Sequence, residues 1–143
     1  MDRIELRKNL TSALQEMYDM EMFTLMIEFC QGEFRVLLYL HMHDKEEIYP
    51  SDLSDSLNVT RQRITSILSA LRKKGYVHMV MSEKDRRKMQ VILTNEGRNQ
   101  ITVKEAEIDK YFDKVIDGLG ESNAKEMTRL TNLIITQLKN SGK

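Results

Sequence analysis

Residues 59–77 read VTRQRITSILSALRKKGYV, and the reading of this stretch decides the fold. Ile64, Ile67, Leu68 and Leu71 fall at i, i+3, i+4 and i+7, the spacing of one buried helical face. Thr60 precedes the run as a residue suited to cap a helix, and Gly75 follows as one suited to end it. Arg72, Lys73 and Lys74 crowd the last turn, where cations complement the negative end of the helix dipole. At about 100° per residue, the inward stripe leaves Gln62, Thr65, Ser66 and Ser69 on the opposite face, flanked at the helix start by Arg61 and Arg63. What that outward face touches is the central question.

Charge narrows the answer. The chain has 143 residues and 22 Lys/Arg against 22 Asp/Glu, so its formal charge is zero. The balance hides a segregation. Residues 58–88 carry nine bases and two acids, a net +7, whereas residues 1–57 carry five bases and twelve acids, a net −7. Residues 89–143 hold eight of each. A local excess of this size points to a polyanionic partner for the middle of the chain, although charge alone is equally compatible with a solvated face.

Composition excludes other classes. With 41% hydrophobic and 31% charged residues the chain is an ordered globular one. No apolar run reaches the roughly 18 residues that a membrane helix needs. The opening MDRIELRKNL mixes both signs of charge and lacks a hydrophobic signal core, so a cytoplasmic location is expected. The single cysteine, Cys30, cannot form an internal disulfide. No nucleophile–base pairing, phosphate-binding glycine loop or clustered metal-ligand spacing occurs, so neither an enzyme nor a cofactor is expected.

Outward from the opening stretch, SDLSDSLNV (residues 51–59) predicts a two-turn helix capped by Ser51, with Leu53 and Leu57 inward and Asn58 in the turn that ends it. Pro50 holds Ile48 and Tyr49 extended. Beyond Gly75 the period changes to two. Val77, Met79 and Met81 alternate with polar or outward neighbours, as do Met89, Val91 and Leu93, and the charged loop SEKDRRK joins them into a protruding hairpin. Residues 1–30 predict one amphipathic helix, with Leu10, Leu14, Met17, Tyr18, Met22, Leu25, Met26 and Phe29 along a stripe. QGEFRVLLYLHMH (31–43) predicts a second helix with Phe34, Leu37, Leu38 and Met42 inward. A helix capped by Thr94 runs to the break at GLGES (118–122). A last helix carries Met127, Leu130, Ile134 and Leu138 on one side. The fold class expected is mainly α with a small β-wing. A small middle domain cannot cover so many apolar stripes, so burial against a second copy is expected.

A short helix, a tight turn, a second helix and a charged hairpin compose a winged helix-turn-helix, and an α-helix fits the DNA major groove. Arginine can read guanine, glutamine can read adenine, and Thr or Ser can contact bases or phosphates. At this point SDLSDSLNVTRQRITSILSALRKKGYV…SEKDRRKMQVILTNEG resembles the MarR family of bacterial transcriptional regulators (multiple antibiotic resistance regulators). The resemblance lies in LRKKGYV ending the recognition helix, the D-x-R wing at Asp85-Arg86-Arg87, and LTNEG opening the next helix. It implies a homodimer binding double-stranded DNA at pseudo-palindromic operators, a repressor released by a small effector. It also implies a winged lobe over 32–95, with dimerisation helices at 1–31 and 96–143. Thr60, Arg61, Gln62, Arg63, Thr65, Ser66 and Ser69 would be the recognition-helix contacts. On the wing, Arg87 would enter the minor groove, positioned by Asp85, with Lys84, Arg86 and Lys88 beside it. Many members place an arginine where this chain has Ser66, so base preference does not transfer.

Further readings stay open at this level. Met17, Tyr18, Met22 and Met26 are candidates to line an effector pocket, although a methionine stripe is more often plain core. Cys30 would be a redox sensor only with a lowered pKa, and neighbouring Glu28 and Glu33 favour a structural thiol. His41 and His43 face apart on a helix, which disfavours a metal site. A winged helix that binds protein instead of DNA is the remaining alternative.

Overall fold

The computed structural model describes residues 1–142. Two compact units divide the chain, the first spanning Met1–Ala106 and the second beginning at Glu107. The elements in order are α1 (Arg3–Tyr18), α2 (Glu21–Cys30), α3 (Gly32–Met42), α4 (Pro50–Leu57), α5 (Arg61–Lys73), β1 (Val77–Met81), β2 (Met89–Leu93), α6 (Asn95–Leu119) and α7 (Glu121–Ser141). Among the described residues no helix is long and apolar enough to cross a membrane.

In the first unit, thirteen buried apolar side chains form one cluster that joins every element of the winged lobe. Val36, Leu37 and Leu40 come from α3, Leu53 and Leu57 from α4, and Ile64, Leu68 and Leu71 from α5. Ile48, Val77, Val91, Leu93 and Ile101 complete it. Fully burying each such side chain stabilises the fold by about 1.5–3 kcal/mol relative to leaving it in water. The α5 stripe therefore faces inward as its spacing requires, with Ile67 half-buried at its edge.

Three expectations need correction. The single helix over residues 1–30 is two. Asp19 ends α1, and Met20 is extended (φ −78°, ψ 147°) before Glu21 opens α2. The apolar spacing runs across this break undisturbed, so periodicity could not reveal it; a poor helix former at Asp19 and an acid in the next first turn were the local signals. Second, α4 begins at Pro50, with Tyr49 rather than Ser51 at the cap position. Proline at the first helical position lacks only an N–H that would be unsatisfied anyway. The Asp52 carboxylate then accepts from the Tyr49 N–H at 2.9 Å. Third, Met42 lies 71% exposed at the end of α3; Leu37 is buried as expected, Phe34 and Leu38 pack half-buried against the core, and Val36 and Leu40 join the buried face.

Asn58 ends α4 in the left-handed region (φ 55°, ψ 50°), which asparagine tolerates better than most residues. The end of α5 is closed by two backbone bonds, from Gly75 N–H to Arg72 O (3.0 Å) and from Tyr76 N–H to Leu71 O (2.9 Å). This Schellman pattern needs Gly75 at φ 79°. The hairpin is antiparallel, with Val77 opposite Leu93, Met79 opposite Val91 and Met81 opposite Met89. Val77, Val91 and Leu93 are buried, whereas Met81 and Met89 near the tip are exposed because the core ends beneath them. Thr94 caps α6 by accepting from the Gly97 N–H at 3.1 Å, while its own hydroxyl donates to Gly75 O at 2.7 Å.

In the second unit, Glu121 opens α7 after Gly120 (φ 83°). Along α7, Met127, Leu130, Leu133, Ile134, Ile135 and Leu138 are all exposed on the single chain. On α1 of the first unit, Ile4, Leu6, Leu10 and Leu14 are exposed likewise.

The Gly97 backbone lies against Tyr76. A methyl group there would collide with the Tyr76 carbonyl oxygen and reach within 2.7 Å of Leu93 Cδ1. Gly97→Ala should therefore lower unfolding free energy by about 1–3 kcal/mol, as overpacking does. Denaturant unfolding measures this, and an unchanged midpoint would contradict the close approach.

Candidate nucleic-acid interface

Burial of Ile64, Leu68 and Leu71 fixes which side of α5 turns outward. Arg61, Gln62, Arg63, Thr65, Ser66 and Ser69 are all exposed there, with Thr60 at the helix start. The Thr60 hydroxyl accepts from the Arg63 N–H at 3.1 Å and so serves the cap. Thr65 donates to Arg61 O at 2.9 Å, which satisfies its proton and leaves its oxygen lone pairs available. Gln62, Arg63 and Ser66 also border an open groove shared with Gly32 and Glu33 at the start of α3. Lys74, expected to complement the negative end of the helix, donates to both carboxylate oxygens of Glu33 at 2.9 Å.

The wing presents its cations differently. Arg87 donates from Nε to Asp85 Oδ1 at 3.1 Å and from Nη2 to Asp85 Oδ2 at 3.2 Å. Its backbone N–H also donates to Asp85 Oδ1 at 3.1 Å. The Arg87 side chain is nonetheless 90% exposed, whereas that of Asp85 is 27% exposed. The carboxylate thus aims the guanidinium without covering it. The same contacts hold the Asp85 carboxyl below its ordinary value of 3.8: the Arg87 side-chain bond contributes most, then the Arg87 backbone bond, with Lys88 nearby adding a smaller pull. Lys84 and Lys88 are directed back toward the base of the wing. Lys84 Nζ lies 3.5 Å from Glu47 Oε2, and Lys88 Nζ stands 4.9 Å over the Tyr49 ring. Arg86 is exposed.

The outward face of α5 and the wing residues belong to one compact unit, Met1–Ala106. Three residues beneath the wing escaped the sequence reading. Ser82 is fully buried, and its hydroxyl meets Glu47 Oε1 at 3.0 Å and the Tyr49 hydroxyl at 3.1 Å. A serine two and three residues before the N–H groups it accepts from, those of Lys84 and Asp85, is a recognisable turn signal. Glu47 and Tyr49 gave none, because they pair with a segment more than thirty residues away.

The remaining candidates are scattered. Met17, Met22 and Met26 are half-buried, and Tyr18 is exposed. The described cavities, of about 300, 590 and 340 Å³, are lined by other residues. Cys30 is an exposed thiol at the last position of α2. The His43 ring stacks on Tyr39 at 4.2 Å and has Glu46 at 3.7 Å. Among the described residues no group of three or more His, Cys, Asp or Glu side chains gathers to hold a metal ion.

Comparison with known proteins finds similar chains and similar folds. Residues 31–88 match the model of the MarR family. The HTH-type transcriptional repressor YetL of Bacillus subtilis is 29% identical over 85 residues, 59% of this chain and 49% of that protein. The chain spans half or less of the length of the curated relatives it matches. Among solved structures, the YusO protein from Bacillus subtilis superposes with a TM-score of 0.80 at 19% identity, covering 95% of this chain and 99% of that one. The S. aureus MepR–DNA complex gives 0.66 at 17% identity, covering 94% and 98%. At such identities the structures speak for the fold; the segment that matches the family model contains α5 and the Asp85-Arg86-Arg87 motif and ends before β2. Residues 31–88 thus resemble the MarR family, and the chain shares the winged helix-turn-helix fold of these solved structures.

Proposed function

We propose that this chain is a transcriptional regulator, not an enzyme, that binds double-stranded DNA as a homodimer. The observation that carries the reading is the Asp85–Arg87 clamp. It presents a guanidinium 90% exposed, on a wing carried by the same compact unit as the polar, arginine-flanked face of α5. Such a guanidinium suits the narrow minor groove of A·T-rich DNA, where negative potential is concentrated. The α5 face suits the adjacent major groove, with Arg61, Gln62, Arg63, Thr65, Ser66 and Ser69 toward base edges and phosphates. Lys84, Arg86 and Lys88 add backbone attraction. The solved MepR–DNA complex, which shares the fold, supports a nucleic acid over a protein partner.

In this reading the winged lobe spans 32–95, and the helices of 1–31 and 96–143 serve dimerisation. Support comes from the exposed apolar side chains of α1 and α7, more than a single chain leaves in water without purpose. Two lobes related by a two-fold axis would address a pseudo-palindromic operator, with half-sites about one helical turn apart. Repression relieved by a small effector completes the proposal. Its support is the family resemblance and the repressor name carried by YetL.

The test uses fragments that the protein selects from sheared DNA of its source genome. Arg87→Ala should weaken binding to a selected fragment at least several-fold, and Gln62→Ala should change base preference more than affinity for random duplex; failure to select any fragment would end the reading. Binding should also be indifferent to the Asp85 clamp from neutral down to mildly acidic pH. A carboxyl whose folded pKa is depressed contributes stability above its unfolded pKa and loses it only as pH falls through the folded value. Nuclear magnetic resonance should show Asp85 titrating below 3.8, and moving up in Arg87→Ala.

A further inference from the structure

Asp85 and Arg87 belong to the same loop, so their clamp fixes one relative to the other but not to the rest of the molecule. The loop is anchored through Ser82. Its buried hydroxyl lies 3.0 Å from Glu47 Oε1, 3.1 Å from the Tyr49 hydroxyl, and 3.2 Å from both the Lys84 and Asp85 nitrogens. A hydroxyl has one proton and two lone pairs. One allocation satisfies every group. The Ser82 proton goes to Glu47, the lone pairs accept from the two N–H groups, and Tyr49 donates to Glu47 Oε2 at 3.3 Å. An unbroken path then runs from the Glu47 carboxylate through Ser82 to the Asp85 backbone, and through the Asp85 carboxylate to Arg87.

The segment holding Glu47 is itself fixed. Ile48 O accepts from Val91 N–H on β2 at 2.7 Å, and the Tyr49 N–H is held by Asp52. Glu47 is only 20% exposed, so its carboxylate faces the wing base rather than solvent. Simple electrostatics predicts that an acid beneath a cationic wing weakens attraction to a polyanion. Its hydrogen bonds predict the reverse.

We propose that Glu47, acting through the Ser82 hydroxyl, is a positioning residue for DNA binding: it sets where the wing arginine stands. This rests on the DNA-binding reading above. The two explanations of Glu47 differ in sign, which makes the test decisive.

The probe is a labelled duplex that the unaltered protein selects from genomic fragments, with affinity read by fluorescence anisotropy at one fixed salt concentration. Glu47→Gln removes the charge while keeping the size, and Ser82→Ala removes the relay. Each should weaken binding about three- to tenfold, the effect of one hydrogen bond. In an Arg87→Ala background Glu47→Gln should cost nothing further, since residues acting through one another are not additive. Tighter or unchanged binding by Glu47→Gln, or a full additional loss on top of Arg87→Ala, would overturn the proposal. If Arg87→Ala itself binds as well as the unaltered protein, the wing reading fails and the positioning role falls with it. A loss in Arg87→Ala without one in Glu47→Gln sinks only the positioning role. A DNA-free readout guards against variants that merely unfold. The Arg87 Nε–H resonance should be sharp in the unaltered protein and broadened in Glu47→Gln of equal melting temperature; equal sharpness in both would also overturn it.

Discussion

Two stretches of backbone meet where α5 ends and α6 begins, and the geometry of the winged lobe depends on that meeting. Gly75 turns the chain out of α5, and Tyr76 donates back to Leu71. On the other side, Thr94 donates its hydroxyl to Gly75 O, and its N–H donates to Tyr76 O at 3.0 Å. Gly97 has no side chain because the Tyr76 carbonyl occupies the space. Four residues thus tie together the end of α5, both ends of the hairpin and the start of α6. The outward face of α5 and the wing keep a fixed relation because their roots are joined here by backbone.

Much of this was legible in the sequence, for reasons that differ by element. The α5 stripe, its Thr60 cap and its Gly75 stop are local signals, and each appears where the pattern put it. The hairpin followed from a change of period, and the Asp85–Arg87 contact lies within three residues. What was not legible involved distance or interruption. The break at Asp19 and Met20 leaves the apolar spacing intact, so a stripe alone reads through it. Tyr49 took the cap position from Ser51 because Pro50 favours the first helical turn. The Glu47–Tyr49–Ser82 cluster joins segments that only the folded chain brings together, and Lys74 found Glu33 in the same way.

A neutral chain can present a cationic face because its acids lie elsewhere or are already engaged. Glu33 is paired with Lys74, Asp85 with Arg87, and Glu47 with Ser82, Tyr49 and Lys84. Exposed ion pairs such as Lys74–Glu33 contribute little to stability. Their consequence lies in which cations remain outward: Arg61, Arg63 and Arg86 on the surface, and Arg87 aimed by its partner. Overall charge therefore conceals where the individual arginines are placed.

The account stands on cations from two copies docking along one DNA duplex, and the salt dependence of binding measures that most directly. Neutralising about six to ten phosphates releases as many counterions, giving a slope of log K against log salt of about −5 to −9. That steep fall is the result expected for the dimer on a selected duplex. A slope shallower than about −2, or no binding in dilute buffer, would contradict it.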